Sequence, residues 1–494
     1  MGSIIKIVFI DPPSLSGSHS EDLRDKPVTP NMGLIYLATY LHSRFKEVNV
    51  NLIDMVANNY NYQDVLKIVK NINPHIVGIT SKTFNILMAY KIAEGLKSLS
   101  KEIVILVGGA HPTALPEETL SECVHIDAVV RREGELTIGE IVERFSKGCR
   151  SYDLFEGVKG VTFRNRDGGI TAEPDRELIP NLDSLPFPDF SLVDYKKYDK
   201  VYNSVRNRFE HRYPIFSSRG CPFNCTFCMP LLTRRYRIRA PEGVVEEVSY
   251  LNKRWGTQQI YFEDSLFGLK RKWFEDFCEM YIKKGLHRLV QWGFEIRIDT
   301  AYPLMFEKAK EAGCIYIFFG VESGSELVLR KANKKYTKDQ IFQIIKSAKD
   351  AGIAEIFASF IFGLPYETME TVQETLDLLE MLPIDNAAIN ILDVYPGTET
   401  FRMADTGQGG LQWIEGKRMN WDSYSRCEPQ VKVNDLSPQD LIQIREKALK
   451  VLAKKRKRVN FAYAKKAINY FFYLLQTNPK RLLRYMGKSF KGHK

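Results

Sequence analysis

"YPIFSSRGCPFNCTFCMP", Tyr213–Pro230, leads from an apolar, strand-like start into a loop with cysteines at 221, 225 and 228 and no fourth nearby. A structural zinc site takes four ligands, and so does a closed iron–sulfur cluster. A loop that stops at three leaves one coordination position for a small molecule, and an open position belongs to a catalytic centre. Spacings of four and three residues let one loop fold its thiolates around a single iron–sulfur centre, and Pro222 and Asn224 favour the turn. The competing reading is a zinc knuckle completed by a distant Cys or His. Against it, the chain has no second Cys/His pair at metal-ligand spacing.

The residues beyond the loop set the fold. Strand-like runs recur as "QQIYFED", "VQWGFEIRID", "CIYIFFGVES", "EIFASFIFGLP" and "AAINILDVYPG", with helical stretches starting near Pro241, Arg271, Tyr302, Ser325, Thr337 and Thr368. Six such units over residues 211–400 predict a partial (β/α)6 TIM-type barrel, whose chemistry lies at the carboxyl ends of the strands. The cysteines come just after the first strand, at that end.

Upstream, over residues 1–150, the runs "IIKIVFID", "VNVNLID", "HIVGIT", "EIVILVGG" and "DAVVRRE" alternate with helical stretches. They predict an α/β, doubly wound, Rossmann-like (flavodoxin-like) domain, with its ligand edge at the loops Asp11–Ser18, Thr80–Thr83, Gly108–Pro116 and Glu133–Glu135. Residues 151–210 read as a hairpin around Asp167-Gly168-Gly169 and then a Pro-punctuated linker. Residues 401–494 read as a helical, basic C-terminal region.

Bulk properties bound the rest. The chain has 494 residues, 44% hydrophobic and 26% charged, as in a globular protein with ample core. No apolar run approaches the roughly 18 residues of a membrane span, and "MGSIIKIVFIDPP" carries no signal-peptide pattern. Eight cysteines are sparse, and the five outside the loop are scattered without pairing rhythm, which suits a reducing cytoplasm better than a disulfide framework. Net charge is +10, but residues 441–494 alone hold sixteen Lys or Arg against Glu446, so the body of the chain is acidic.

The C-x3-C-x2-C loop resembles the signature of the radical S-adenosylmethionine superfamily. "YFEDSLF" (261–267), "WGFEIRID" (292–299), "GVESGSE" (320–326), "FIFGLPYET" (360–368) and "YPGTE" (395–399) come after it in that family's order. One departure is Glu263-Asp264 in place of the more familiar Gly-Gly-Glu. The resemblance implies that Cys221, Cys225 and Cys228 hold a [4Fe-4S] cluster whose open iron chelates S-adenosylmethionine. It puts Phe227 beside that molecule, Glu263 and Asp264 near its amino group, Arg297 near its carboxylate, and Glu322 or Ser323 near its ribose. It also implies an external electron donor of the flavodoxin or ferredoxin type.

The first domain resembles the cobalamin-binding branch of the superfamily, which includes carbon methyltransferases and anaerobic magnesium-protoporphyrin monomethyl ester cyclases. "PNMGLIYLATYL" (30–41), "PHIVGITSKTFN" (74–85), "VGGAHPTALPEE" (107–118) and "VVRREGELTIGEI" (129–141) carry it. A corrinoid lying on the sheet edge would then meet Thr80, Ser81 and Thr83, with Gly108 and Gly109 admitting its tail and Glu133, Gly134 and Glu135 on the far side. Where histidine-ligating cobalamin proteins carry D-x-H-x-x-G, this chain reads "DPPSLSG", with Pro13 at the histidine. His111 is the nearest alternative in kind. A domain that keeps the fold without the cofactor is the competing reading.

With both cofactors, the resemblance implies methylation of an unactivated carbon of a small-molecule, lipid or natural-product substrate, by a 5′-deoxyadenosyl radical and methylcobalamin. Oxidation, cyclisation or rearrangement without methyl transfer is the alternative. An RNA methylthiotransferase would need three further clustered cysteines upstream and a β-rich final module, so nucleic acid is an unfavoured partner. The tail carries Phe461, Ala464, Ile468, Phe471, Phe472 and Leu475 at helical spacing, with Lys465 and Lys466 opposite. It reads either as a helix packed on the body or as a peripheral contact with an anionic membrane surface.

Overall fold

The computed structural model describes residues 4–14, 27–229, 233–426 and 428–458, and the helical positions 469, 471 and 473–475. Strands β1 (Ile5–Asp11), β2 (Val48–Asp54), β3 (Ile76–Thr80), β4 (Val104–Gly108) and β5 (Ala128–Val130) form a parallel sheet in the order β2-β1-β3-β4-β5. The runs of Val and Ile in these strands suit a sheet covered on both faces. Helices Met32–Arg44 and Glu135–Ser146 bury Leu34, Leu41, Ile138 and Ile141 on one face. Helices Tyr62–Ile72 and Ile86–Leu99 bury Val65, Val69, Ile86 and Ile92 on the other. This is the flavodoxin-like winding, with its switch point between β1 and β3.

The hairpin read around Asp167 forms as β6 (Val161–Arg164) and β7 (Ile170–Ala172), and β6 pairs antiparallel with β5. It therefore extends the first sheet. A second small hairpin, β8 (Val201–Asn203) with β9 (Arg208–Glu210), precedes the barrel.

The barrel strands are β10 (Tyr213–Ile215), β13 (Gln259–Phe262), β14 (Gln291–Arg297), β15 (Cys314–Glu322), β16 (Glu355–Phe362) and β17 (Asn386–Ile391), all parallel and in sequence order. Between β10 and β13 the chain makes a two-stranded antiparallel ribbon, β11 (Ser218–Arg219) with β12 (Arg237–Ile238). Six parallel strands without closure agree with the sequence pattern. Under them Phe262, Phe267, Phe277, Trp292 and Phe294 pack as an aromatic core.

The C-terminal region is not helical throughout. β18 (Leu411–Trp413) pairs antiparallel with β19 (Val431–Val433). The short helix Trp421–Ser425, which lies between them, docks on the first domain, where Trp421 and Tyr424 join the buried cluster of β3, β4 and helix Ile86–Leu99. Helix Pro438–Arg458 then returns to the barrel and buries Leu441, Ile444 and Ala448 in its core. Most of the amphipathic tail stretch (461, 464, 465, 466, 468 and 472) lies outside the described residues. Within it, Tyr473 stacks on Phe209 of β9 with ring centroids 4.3 Å apart, and Leu474 is buried. No helix among the described residues is long and apolar enough to cross a membrane.

Candidate active site

The ribbon β11–β12 is the stalk of the cysteine loop. Gly220 turns off the stalk at φ +86°, and a Cβ there would collide with the Arg235 carbonyl. The loop is then pinned from several sides. Cys221 N donates to Thr233 O at 3.1 Å, Thr226 N to Ala332 O at 3.3 Å, Thr400 N to Thr226 O at 3.0 Å, and Asn333 Nδ2 to Asn224 O at 2.8 Å. Its conformation is thus set by barrel elements distant in sequence.

Cys225 is buried, Cys221 half-buried and Cys228 on the open side, and all three are free thiols. The enclosing protein, and after it Cys225 and Cys221, push the Cys228 thiol up to about 11. Among the described residues no three Cys, His, Asp or Glu side chains converge as the donors of one ion would. A [4Fe-4S] cubane takes each thiolate on a different iron. Arg297 Nη1 donates to Cys225 Sγ at 2.9 Å, while Nε and Nη2 grip Asp299 at 3.0 and 2.9 Å and the guanidinium lies 3.9 Å from the Phe223 ring centroid. The loop therefore carries a sulfur-directed N–H of the kind that tunes clusters.

The other residues named from sequence fall into two groups. Glu263 directly follows β13, exposed at the barrel mouth; partial enclosure raises its carboxyl, while Arg212 and Lys82 lower it. Glu322 ends β15 at φ +66°, bonded to Lys334 Nζ at 2.8 Å and Ser359 Oγ at 2.8 Å. Thr80 is half-buried, Gly108 half-buried and Gly109 exposed on the carboxyl edge of the first sheet.

The remaining side chains, like that of Glu322, are engaged within the protein. Asp264 is 1% exposed and accepts from Ser217 N and Oγ at 3.0 and 2.9 Å and from Ser218 Oγ; burial pushes it up to about 6 despite these bonds. It braces the strand that feeds the cysteine loop. Ser323 Oγ bonds Thr375 Oγ1 at 3.1 Å and receives Ser325 N. Phe227 is partly buried against Leu364, Leu392 and Val394 on the outside of the loop. Ser81 Oγ bonds Lys82 O and Asn85 Oδ1, and Thr83 Oγ1 lies 3.2 Å from His111 Nδ1.

His111 is itself 1% exposed, edge-on to Trp421 at 4.7 Å, with Nε2 unpartnered and the imidazole pushed down to about 4 by burial. Glu133 and Glu135 meet arginines of the stalk: Arg219 reaches Glu135 at 2.7 Å and Glu133 at 3.4 Å, and Arg237 reaches Glu133 at 2.5 Å. Gly134 enters helix Glu135–Ser146.

Sequence reasoning passed over Glu295, Lys334, Arg219, Arg237 and Trp421. Glu295 faces the barrel mouth beside Glu263, and burial, then Glu263, push it up to about 7. Its only sequence signal is the acidic residue inside an otherwise apolar run, "WGFEIRID".

The Radical SAM superfamily model matches residues 215–379 and the B12 binding domain model residues 25–142. An uncharacterized methyltransferase of Pyrococcus horikoshii is 34% identical over 90% of this chain and 92% of its own length. The chain belongs to the B12-binding branch of the radical SAM superfamily. Among relatives of this radical SAM enzyme is the anaerobic magnesium-protoporphyrin IX monomethyl ester cyclase of Rubrivivax gelatinosus, 31% identical over 81% of this chain and 70% of the cyclase. The solved structure of the methyltransferase TsrM from Kitasatospora setae, with cobalamin and a [4Fe-4S] cluster bound, superimposes with TM-score 0.68 over 92% of this chain and 89% of its own; at 16% identity it shows the shared fold.

The cofactors of this radical SAM enzyme are a [4Fe-4S] cluster, S-adenosylmethionine and cobalamin. They supply, respectively, an electron, a cleavable sulfonium and a methyl carrier. The chain's own share is to hold three thiols on a pinned loop, aim Arg297 at one of them, and set carboxylates at the barrel mouth. Radical SAM enzymes in general take small-molecule substrates and draw electrons from a donor.

Proposed function

We propose that this radical SAM enzyme methylates an unactivated carbon of a small, largely apolar molecule, with Cys221, Cys225 and Cys228 holding the cluster. The observation that carries the proposal is the opposition of two edges in one chain. The cysteine loop stands on a stalk that is ion-paired to the carboxyl edge of the cobalamin-type domain. Two reactive groups facing one space is what transfer between them requires. Glu263, Glu322 and Arg297 line the S-adenosylmethionine side of that space, and Thr80, Gly108 and Gly109 the corrinoid side.

Reconstitution without oxygen, with iron, sulfide and hydroxocobalamin, tests this directly. About four irons per chain, lost in Cys221→Ala, together with a retained corrinoid band, are expected. Iron without corrinoid would leave radical oxidation or cyclisation, the second reading, which the 31% identical cyclase favours. Product mass separates the two, since methylation adds one methylene. Electrons reach the cluster from a flavodoxin- or ferredoxin-type donor. Lys454 and the basic positions 456–458 draw the enzyme to anionic membrane surfaces, at about 1 kcal/mol per basic residue, while Lys455 is held by the Leu379, Glu380 and Leu382 carbonyls.

A further inference from the structure

Buried charge is concentrated where the two domains meet. Arg219 and Arg237 stand side by side across the antiparallel ribbon, in register with one another, and each points at the loop between β5 and helix Glu135–Ser146. Their side chains are 10% and 5% exposed, and those of Glu133 and Glu135 are each 5% exposed. Two guanidiniums face two carboxylates, so the group is neutral as a whole and each member is costly if left alone.

Further bonds fix the set. Glu133 also accepts Ile179 N at 3.0 Å, Arg237 donates to Ile179 O at 2.7 Å, and Arg219 lies 5.2 Å from the ring centroid of Tyr36 on the first domain. Arg219 is two residues before Cys221, and Glu133 and Glu135 lie on the carboxyl edge of the first sheet. Paired planar guanidinium–carboxylate contacts of this kind hold distance and angle. The stalk therefore cannot shift without moving the sheet edge, and the edge cannot shift without moving the stalk.

We infer that Arg219, Arg237, Glu133 and Glu135 are positioning residues that couple the two cofactor sites, so that loading the cluster tightens corrinoid binding and corrinoid binding tightens the cluster's hold. The inference rests on the function proposed above. Coupling of this sort is reciprocal.

Anaerobic absorbance titrations with hydroxocobalamin test it, run on protein with reconstituted cluster and on chelator-stripped protein. The expected ratio of the two dissociation constants is about 5–150 in favour of the loaded form. In Glu133→Gln/Glu135→Gln the ratio should fall towards one. Residues that only lined the corrinoid would instead weaken both titrations alike and keep the ratio. Should that variant fail to fold, the exchanged pair Arg219→Glu/Glu135→Arg should restore part of the ratio lost in Arg219→Glu alone. Equal constants in the unsubstituted protein, or an unchanged ratio in the double variant, overturn the coupling while leaving the proposed function intact. Absence of any hydroxocobalamin binding overturns both.

Discussion

Gly109 holds the edge of the first sheet in a form no side chain permits. Its φ is +106°, and a Cβ would sit 2.9 Å from Ser81 N and closer still to Ser81 O. Gly109→Ala should destabilise the protein by about 1–3 kcal/mol, read as a fall in urea midpoint at constant m. Arg297 offers a test of chemistry. Its N–H on Cys225 stabilises electron density on sulfur, so Arg297→Met should lower the cluster's reduction potential, seen by electron paramagnetic resonance as a smaller reduced fraction at a fixed applied potential. The three cysteines are legible because spacing alone makes them neighbours. Ser81, Ser323 and Asp264 mislead in the opposite way. Each looks like a ligand donor, yet each is bonded within the protein, Ser81 to the Asn85 amide oxygen, Ser323 to the Thr375 hydroxyl and Asp264 to the Ser217 backbone, and no local pattern announces these partners.

Among the elements, strands and helices of the two parallel sheets follow from apolar period and caps. Helices Lys338–Asp350 and Met369–Met381 begin at Thr337 and Thr368, each with a capping box. The pair β18–β19 escapes notice because three-residue strands show no alternation to read. The loop after β16 carries the most instructive carboxylate. Glu367 is fully buried, accepts Gly363 N, and is pushed up to about 8 by burial. A folded-state pKa above the unfolded value gives stability that is complete below about pH 4.5 and lost as pH rises towards 8. Glu367→Gln should flatten that part of the stability–pH curve, measured by urea unfolding at pH 5 and pH 8. An unchanged slope would assign the dependence to Asp11 and Glu295, both pushed up to about 7 by burial.

At the scale of the whole molecule, the C-terminal region clasps the first domain. Trp421 is 5% exposed, donates Nε1 to Glu122 at 2.8 Å and packs against His111, and Tyr424 donates to Val394 O. Trp421→Ala should cost about 3–5 kcal/mol and loosen the first domain ahead of the barrel, visible as a split calorimetric transition in place of one. No sequence pattern joins residue 421 to residue 111, because the contact spans two domains and depends on how they are set against each other.

That clasp has a bearing on biosynthesis. The first 150 residues leave the ribosome early, yet the tryptophan that completes their core is made near the end. At roughly 5–20 residues per second, the nascent domain waits roughly 14–54 s with an apolar patch uncovered beside helix Ile86–Leu99. Final closure of the cobalamin-type domain therefore comes late in synthesis. A chain that stalls before Trp421 would emerge with its barrel strands made and its first domain unfinished, a natural client for chaperones.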